Sequence, residues 1–239
     1  MSYSGDVLLL TPEAYWRLGE GAAPASIVDS SGNARHATPD PSPAAGPTFG
    51  VPALISSDPN TAASLDGLND FIRCGYRHNY TAGITYIGWI KTPGSTLPLF
   101  PQNLFADFRI GAHAGCEIRI NGAQDIEFSL SNGVSIFTLT ALASLNDNLR
   151  HMVACVWDGT TAVNAVKVYI DGSLANQGTS TLTAAMLGHF NARLGTGFDG
   201  DDTQPEDGGG NVNLFYQGVM DEIAIFAGAL SAANISTLF

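Results

Sequence analysis

Apolar and polar residues alternate with a period of two along most of this chain, in short runs separated by turn-forming residues. Residues 125–130 put Ile126, Phe128 and Leu130 on one face and Asp125, Glu127 and Ser129 on the other. Residues 116–120 place Ile118 and Ile120 together. Residues 85–91 (around Trp89), 151–157 and 166–170 are rich in β-branched and aromatic side chains, the types that suit a pleated surface. Residues 219–226 are almost continuously apolar, interrupted by Asp221 and Glu222. Asn132-Gly133, Asp158-Gly159 and Asp171-Gly172 are turn formers, and the first leads into a further strand over residues 135–142. Helix signals are confined to the C-terminus, where Ser231 can cap a turn that puts Ile235 and Leu238 on one face. This spacing predicts an all-β fold: a two-sheet antiparallel sandwich or jelly roll with a short C-terminal helical turn.

The chain has 239 residues, 45% of them apolar, with 27 glycines and 12 prolines spread along its length. That is enough to bury a core in a single domain without staples. The Pro/Ala-rich stretch at residues 39–52 reads as a surface loop, because too few residues precede it to form a domain. Only 13% of residues are charged and the net charge is −12. Such a surface repels phosphate backbones and acidic lipid, so neither nucleic acid nor membrane is an expected partner. It favours Ca²⁺, a hard cation that takes oxygen ligands. Cys74, Cys116 and Cys155 form no C-x-x-C pair. They read as buried thiols, with room left for one disulfide. The apolar run Val7, Leu8, Leu9, Leu10 is too short for a signal peptide and lacks a basic flank. It reads instead as part of an arm, residues 1–12, that contacts a partner chain.

Several segments resemble the laminin-G-like jelly roll of the concanavalin A-like lectin/glucanase superfamily. Tyr15-Trp16-Arg17-Leu18 followed by Asp29-Ser30-Ser31-Gly32-Asn33 is similar to its opening strand and turn. Ala63 to Ile72, read Ala-Ser-Leu-Asp-Gly-Leu-Asn-Asp-Phe-Ile, resembles a second segment, and the strand carrying Trp89 a third. Arg150-His151-Met152-Val153-Ala154, then Trp157-Asp158-Gly159 and Val168-Tyr169-Ile170-Asp171-Gly172, resemble the central strands. Gln217 to Ile223, with Leu230-Ser231 and Ile235, resembles the end. The fragments occur in order across nearly the whole chain. The resemblance implies one domain over residues 1–239, two curved antiparallel sheets packed face to face, and a structural role for His151. It implies no single function, since a fold hosts many.

Candidate chemistry is sparse. The superfamily's glucanases alternate carboxylates along one strand, as E-x-D-x-E; here Ala123 stands in the first position, leaving Asp125 and Glu127, which read as the solvated side of an amphipathic strand. His36, His78, His113, His151 and His189 have no zinc-ligand spacing. No nucleophile elbow or phosphate loop is present. Five carboxylates, Asp199, Asp201, Asp202, Glu206 and Asp207, fall within nine residues and form the first candidate Ca²⁺ site. Asp29, Asp66, Asp70 and Asp221 are the alternative metal or structural group. Asp221 interrupts an apolar strand and needs a partner, for which the amides of the 29–33 turn are available. Trp16, Trp89 and Trp157 read as core, whereas Tyr76, Tyr80, Phe198, Phe215 and Tyr216 lie near loops, where aromatic rings can stack on sugars.

The function expected from these residues is non-catalytic. Stand-alone members of the family without a leader look like bacteriophage decoration (cement) or tail proteins. The first expectation is therefore a structural surface protein of a virus particle, made in the host cytoplasm, whose partners are other virion proteins or its own copies. The alternative is a carbohydrate-binding, lectin-like module using Ca²⁺. A glycoside hydrolase, which needs a carboxylate pair with one raised pKa, comes third.

Overall fold

Side chains on the strand Arg150–Trp157 alternate between two apolar environments: Val153, Cys155 and Trp157 enter one buried cluster, and Met152, Ala154 and Val156 another. A strand apolar on both sides must be covered on both sides, and the rest of the architecture supplies the covers. A computed structural model describes residues 2–39, 46–56, 58–94, 101–107, 114–182, 188, 191–197 and 214–239. In chain order its elements are α1 (Tyr3–Leu9), β1 (Ala14–Trp16), β2 (Thr38–Pro39), β3 (Thr48–Pro52), β4 (Thr61–Asp66) and β5 (Ile72–Arg73). A 3-10 turn (Tyr80–Ala82) precedes β6 (Ile84–Lys91), β7 (Gln102–Ala106), β8 (Ala114–Ile120), β9 (Ile126–Asn132) and β10 (Ile136–Ala141). Then come β11 (Arg150–Trp157), β12 (Val166–Ile170), β13 (Ser173–Gly178), β14 (Arg193–Leu194), β15 (Gln217–Phe226) and α2 (Ala232–Leu238).

The strands form two antiparallel sheets. One has eight strands in the order β13-β12-β11-β6-β15-β4-β3, with β1 also paired to β15; the other has seven, β10-β9-β8-β7-β14-β5-β2. The sheets enclose the main core, which includes Trp16, Tyr86, Phe105, Phe128 and Trp157. All three cysteines are free and buried within it, and burial pushes their thiols above the usual range. On its other side the eight-stranded sheet is covered by α1 and α2, through Val7, Ile235 and Leu238. The expected sandwich and C-terminal helix are therefore present.

The N-terminal segment departs from expectation. Residues 3–9 form a helix, with the Ser2 side chain accepting a hydrogen bond from the Gly5 amide. Val7 is fully buried in the chain's own second cluster, so it cannot serve as an exposed contact. Leu8 and Leu9 remain 41% and 67% exposed. A seven-residue helix containing a glycine is not stable alone; it forms here because it packs on the sheet, with Tyr3 edge-on to Trp89. Among the described residues no helix is long and apolar enough to cross a membrane.

The Asp171-Gly172 turn behaves as read. Both residues have positive φ (51° and 73°), the geometry of a tight hairpin between β12 and β13. Asp171 anchors it by accepting from the Met152 amide at 2.9 Å and meeting His151 Nδ1 at 2.8 Å, while His151 Nε2 lies 3.2 Å from Asp147. Partial burial disfavours the imidazolium, but the hydrogen bonds to the two carboxylates outweigh it and raise the pKa. A raised histidine stabilises the fold fully below its unfolded pKa of about 6.5, and that contribution is lost as pH rises through the folded value. His151→Gln should therefore lower stability, in urea melts, by more at about pH 5.5 than at about pH 9. Ile235→Ala, at a position with no exposure, should cost about 2–5 kcal/mol. A negligible cost in the same melts would mean that α2 does not belong to the cooperative unit.

Candidate functional site

The outer face of the seven-stranded sheet is polar, buried at its centre and open along β10. Alternation turns Cys116, Ile118, Ile120, Ile126, Phe128 and Leu130 into the main core, so the intervening Glu117, Arg119, Glu127, Ser129 and Ser131 face outward. The β8–β9 register sets Arg119 opposite Glu127 and Glu117 opposite Ser129. Arg119 Nε donates to Glu127 Oε2 at 2.7 Å, and its Nη1 lies 3.5 Å from Glu117 Oε2. From β7, Asn103 Nδ2 donates to Glu117 Oε1 at 2.7 Å. Ser129 Oγ pairs with Thr138 Oγ1 on β10 at 2.9 Å.

This face differs from the solvated one expected around Glu127: Ser129 and Ser131 are each 1% exposed, Glu117 3% and Asn103 not at all. Burial raises the Glu117 pKa, Arg119 and Asn103 pull it down, and Glu127 pushes it up. Among the described residues Asn103 Oδ1 receives no hydrogen bond, and Glu117 Oε2 has only the ion-pair contact with Arg119 Nη1 at 3.5 Å. An unsatisfied buried acceptor costs about 1–3 kcal/mol, and both atoms are closed off from solvent in this conformation. Sequence reading missed Glu117, Arg119 and Asn103. The alternation in residues 116–120 was visible, but the strand register that assembles the three was not.

The other expected group is not assembled. Asp29 closes its own turn, accepting from the amides of Tyr15, Ser31 and Arg35 and from the Ser31 hydroxyl. Burial opposes its ionisation, but these four donors outweigh it and lower its pKa. Asp66 accepts from the Leu68 and Asn69 amides, and its own amide donates to Asp70. Asp221 accepts from the Leu54 amide at 2.8 Å rather than from the 29–33 turn. Asp125 accepts from the Ala143 amide. Among the described residues no three His, Cys, Asp or Glu side chains form a metal-holding group. Asp199, Asp201, Asp202, Glu206 and Asp207 lie outside the described residues, as does Phe198. Of the loop-near aromatics, Tyr76, Tyr80 and Tyr216 are buried, and Phe215 packs on Phe71. The three tyrosines belong to the core, and Phe215 is partly exposed.

Asp221 belongs to a buried network at a bulge in β15. Glu222, with φ 53° and no exposure, accepts from Tyr15 Oη and, at 2.8 and 2.7 Å, from Arg17 Nε and Nη2. Arg17 also grips both oxygens of Asp58. Two carboxylates thus share one guanidinium, while Asp221 Oδ1 has no donor among the described residues. Burial, with smaller contributions from Glu222 and Asp58, pushes Asp221 up to about 7 against the Leu54 hydrogen bond. A carboxyl raised in the folded state stabilises most at low pH, and that contribution falls away as pH rises from its unfolded value to its folded one. Asp221→Asn keeps the acceptor for Leu54 and removes the charge. It should raise the melting temperature relative to wild type by more at about pH 8 than at about pH 4.

Comparison with solved structures gives the same architecture. The binding domain of Paraclostridial Mosquitocidal Protein 1 superposes with a TM-score of 0.65 at 14% identity, over 97% of this chain and 52% of that one. The botulinum neurotoxin serotype D binding domain gives 0.60 at 14%, over 99% and 52%. This chain thus spans about half the length of these toxin domains. Domain 4 of AbnA, a GH43 extracellular arabinanase from Geobacillus stearothermophilus, solved in complex with arabinotriose, gives 0.62 at 17%, over 95% of this chain and 98% of that one. No curated protein matches the chain. Residues 65–236 match the laminin G family model, and the chain therefore belongs to the concanavalin A-like lectin/glucanases superfamily.

Proposed function

We propose that this domain is a non-catalytic binding module whose ligand is a carbohydrate, held at the outer face of the seven-stranded sheet. The observation that carries the reading is a pair of buried acceptors short of donors among the described residues, Asn103 Oδ1 with none and Glu117 Oε2 with only Arg119 Nη1 at 3.5 Å, beside the Arg119–Glu127 ion pair. Sugar hydroxyls donate and accept at once. On entry past the residues that close over these atoms, they satisfy both acceptors while taking bonds from Arg119 and the Ser129–Thr138 hydroxyls. The arabinotriose-bound AbnA domain, alike over nearly its whole length, supports the ligand class, and the toxin binding domains support a receptor-binding role.

Catalysis is the weaker reading. Glu117 and Glu127 share the face, but Arg119 engages both, and a carboxylate held by a guanidinium is a poor general acid. Calcium remains a proposal for the 199–207 loop.

The virus-particle reading, as a phage decoration or tail component, keeps one support. Leu8 and Leu9 are exposed at the end of α1 and could seat against another virion protein or a second copy. Gentle fractionation from the native source separates the two readings, since a particle component co-purifies in fixed stoichiometry.

For the carbohydrate reading, isothermal titration with arabino-oligosaccharides, guided by a glycan array, should show binding that Glu117→Ala weakens by about 10- to 100-fold, the worth of one hydrogen bond to a charged group. Glu117→Gln, which preserves volume, serves as the folding control. A folded wild-type protein that binds no glycan would overturn the proposal.

A further inference from the structure

A second polar concavity lies where the end of β15 meets the ends of β4 and β6. It is a groove of about 480 Å³ lined by Asp66, Lys91, Asn148, Gln217 and Gly218, among others, a size in the range of small-ligand sites. Its shape depends on glycine. At Gly218, φ is 151°, and a Cβ there would sit 2.4 Å from the Lys91 carbonyl oxygen and 2.5 Å from Tyr216 Oη. No other residue fits, so the wall between Lys91 and Gln217 carries no side chain.

The polar groups around the groove are held in place by the backbone. Asp66 Oδ1 is fixed by the Leu68 and Asn69 amides, while Oδ2 takes part in none of the hydrogen bonds among the described residues. The Asn148 amide donates to the Thr92 carbonyl, which sets that residue at φ 61°. The Gln217 amide donates to Gln102 Oε1 at 3.0 Å. Lys91 takes part in none of the ion pairs among the described residues. The polar side chains of the lining are thus one carboxylate, one ammonium, two amides and the Ser64 hydroxyl. The two charges cancel, so a phosphate would meet Asp66 and a metal ion would meet Lys91. A neutral diol satisfies both, one hydroxyl donating to Asp66 while its neighbour accepts from Lys91.

We infer that this groove, bounded by Asp66, Lys91, Asn148 and Gln217, is a second saccharide site that takes a neutral sugar through adjacent hydroxyls. The inference rests on the carbohydrate reading above but uses different residues. Gln102, which accepts from Gln217, directly precedes Asn103, the partner of Glu117.

The test is an amide-resolved NMR titration of the whole domain with arabinotriose and a panel of neutral monosaccharides, alongside inorganic phosphate and Ca²⁺. Saturable shifts are expected at Gly67, Asn148 and Gly218. They should weaken at least about tenfold in Lys91→Met and in Asp66→Asn, with shifts around Glu117 retained. Asp66→Asn keeps the acceptor for the turn, so it guards against loss of fold. Shifts around Glu117 alone would overturn the second site and leave the first standing. Shifts at Gly218 with phosphate or Ca²⁺ alone would overturn the ligand class. No shifts with any saccharide would overturn both sites.

Discussion

The eight-stranded sheet is apolar on both faces, and neither face can be left in water. At roughly 25 cal/mol per Å² of apolar surface, exposing residues such as Trp89, Met152, Tyr169 and Phe226 would cost several kcal/mol. One face is closed by the other sheet and the second by α1 and α2, which bring Val7, Ile235 and Leu238. Both faces of this sheet are thereby spent on the fold. The seven-stranded sheet spends only one, and its outer face carries polar groups in the alternate positions. The proposed Glu117 site lies on that polar face.

Placing charge inside such a fold requires a device, and the bulge in β15 provides it. The register shift between Asp221 and Ala224 lets consecutive acidic residues leave the strict alternation. Glu222 reaches Tyr15 and Arg17, and Asp221 reaches the Leu54 amide. Through these bonds β15 is tied to the segment after β1 and to the 54–60 segment between β3 and β4. An unpaired buried carboxylate would be strongly destabilising, but one that is paired or protonated is tolerable. The network reads as structural: it joins strands that are remote in sequence.

Much of this was legible in the sequence. The period-two pattern in residues 116–120, 125–130 and 151–157 gave the strands and their inward sides. Asp171-Gly172 gave its hairpin, the isolated cysteines their burial, and Ser231 with Ile235 and Leu238 the last helix. What failed depends on three-dimensional assembly. Helix α1 is too short to announce itself by periodicity. Asp29, Asp66 and Asp70 serve local turns and loops, whereas Asp221 reaches the remote Leu54 amide, and chain order does not say which acids meet. Glu117, Arg119 and Asn103 come together only through the registers of β7, β8 and β9. A charged residue between apolar ones on a strand looks solvated whether its face is open or buried, which is why Asp125 and Glu127 read as a solvated side although Asp125 is buried.

The most direct test is a crystal structure of the domain grown with a saturating arabino-oligosaccharide. The account predicts a sugar hydroxyl within hydrogen-bonding distance, about 2.5–3.0 Å, of Glu117 Oε2 on the outer face of the seven-stranded sheet. A sugar seated instead against α1 and α2, with Glu117 Oε2 contacted by no ligand, would contradict it.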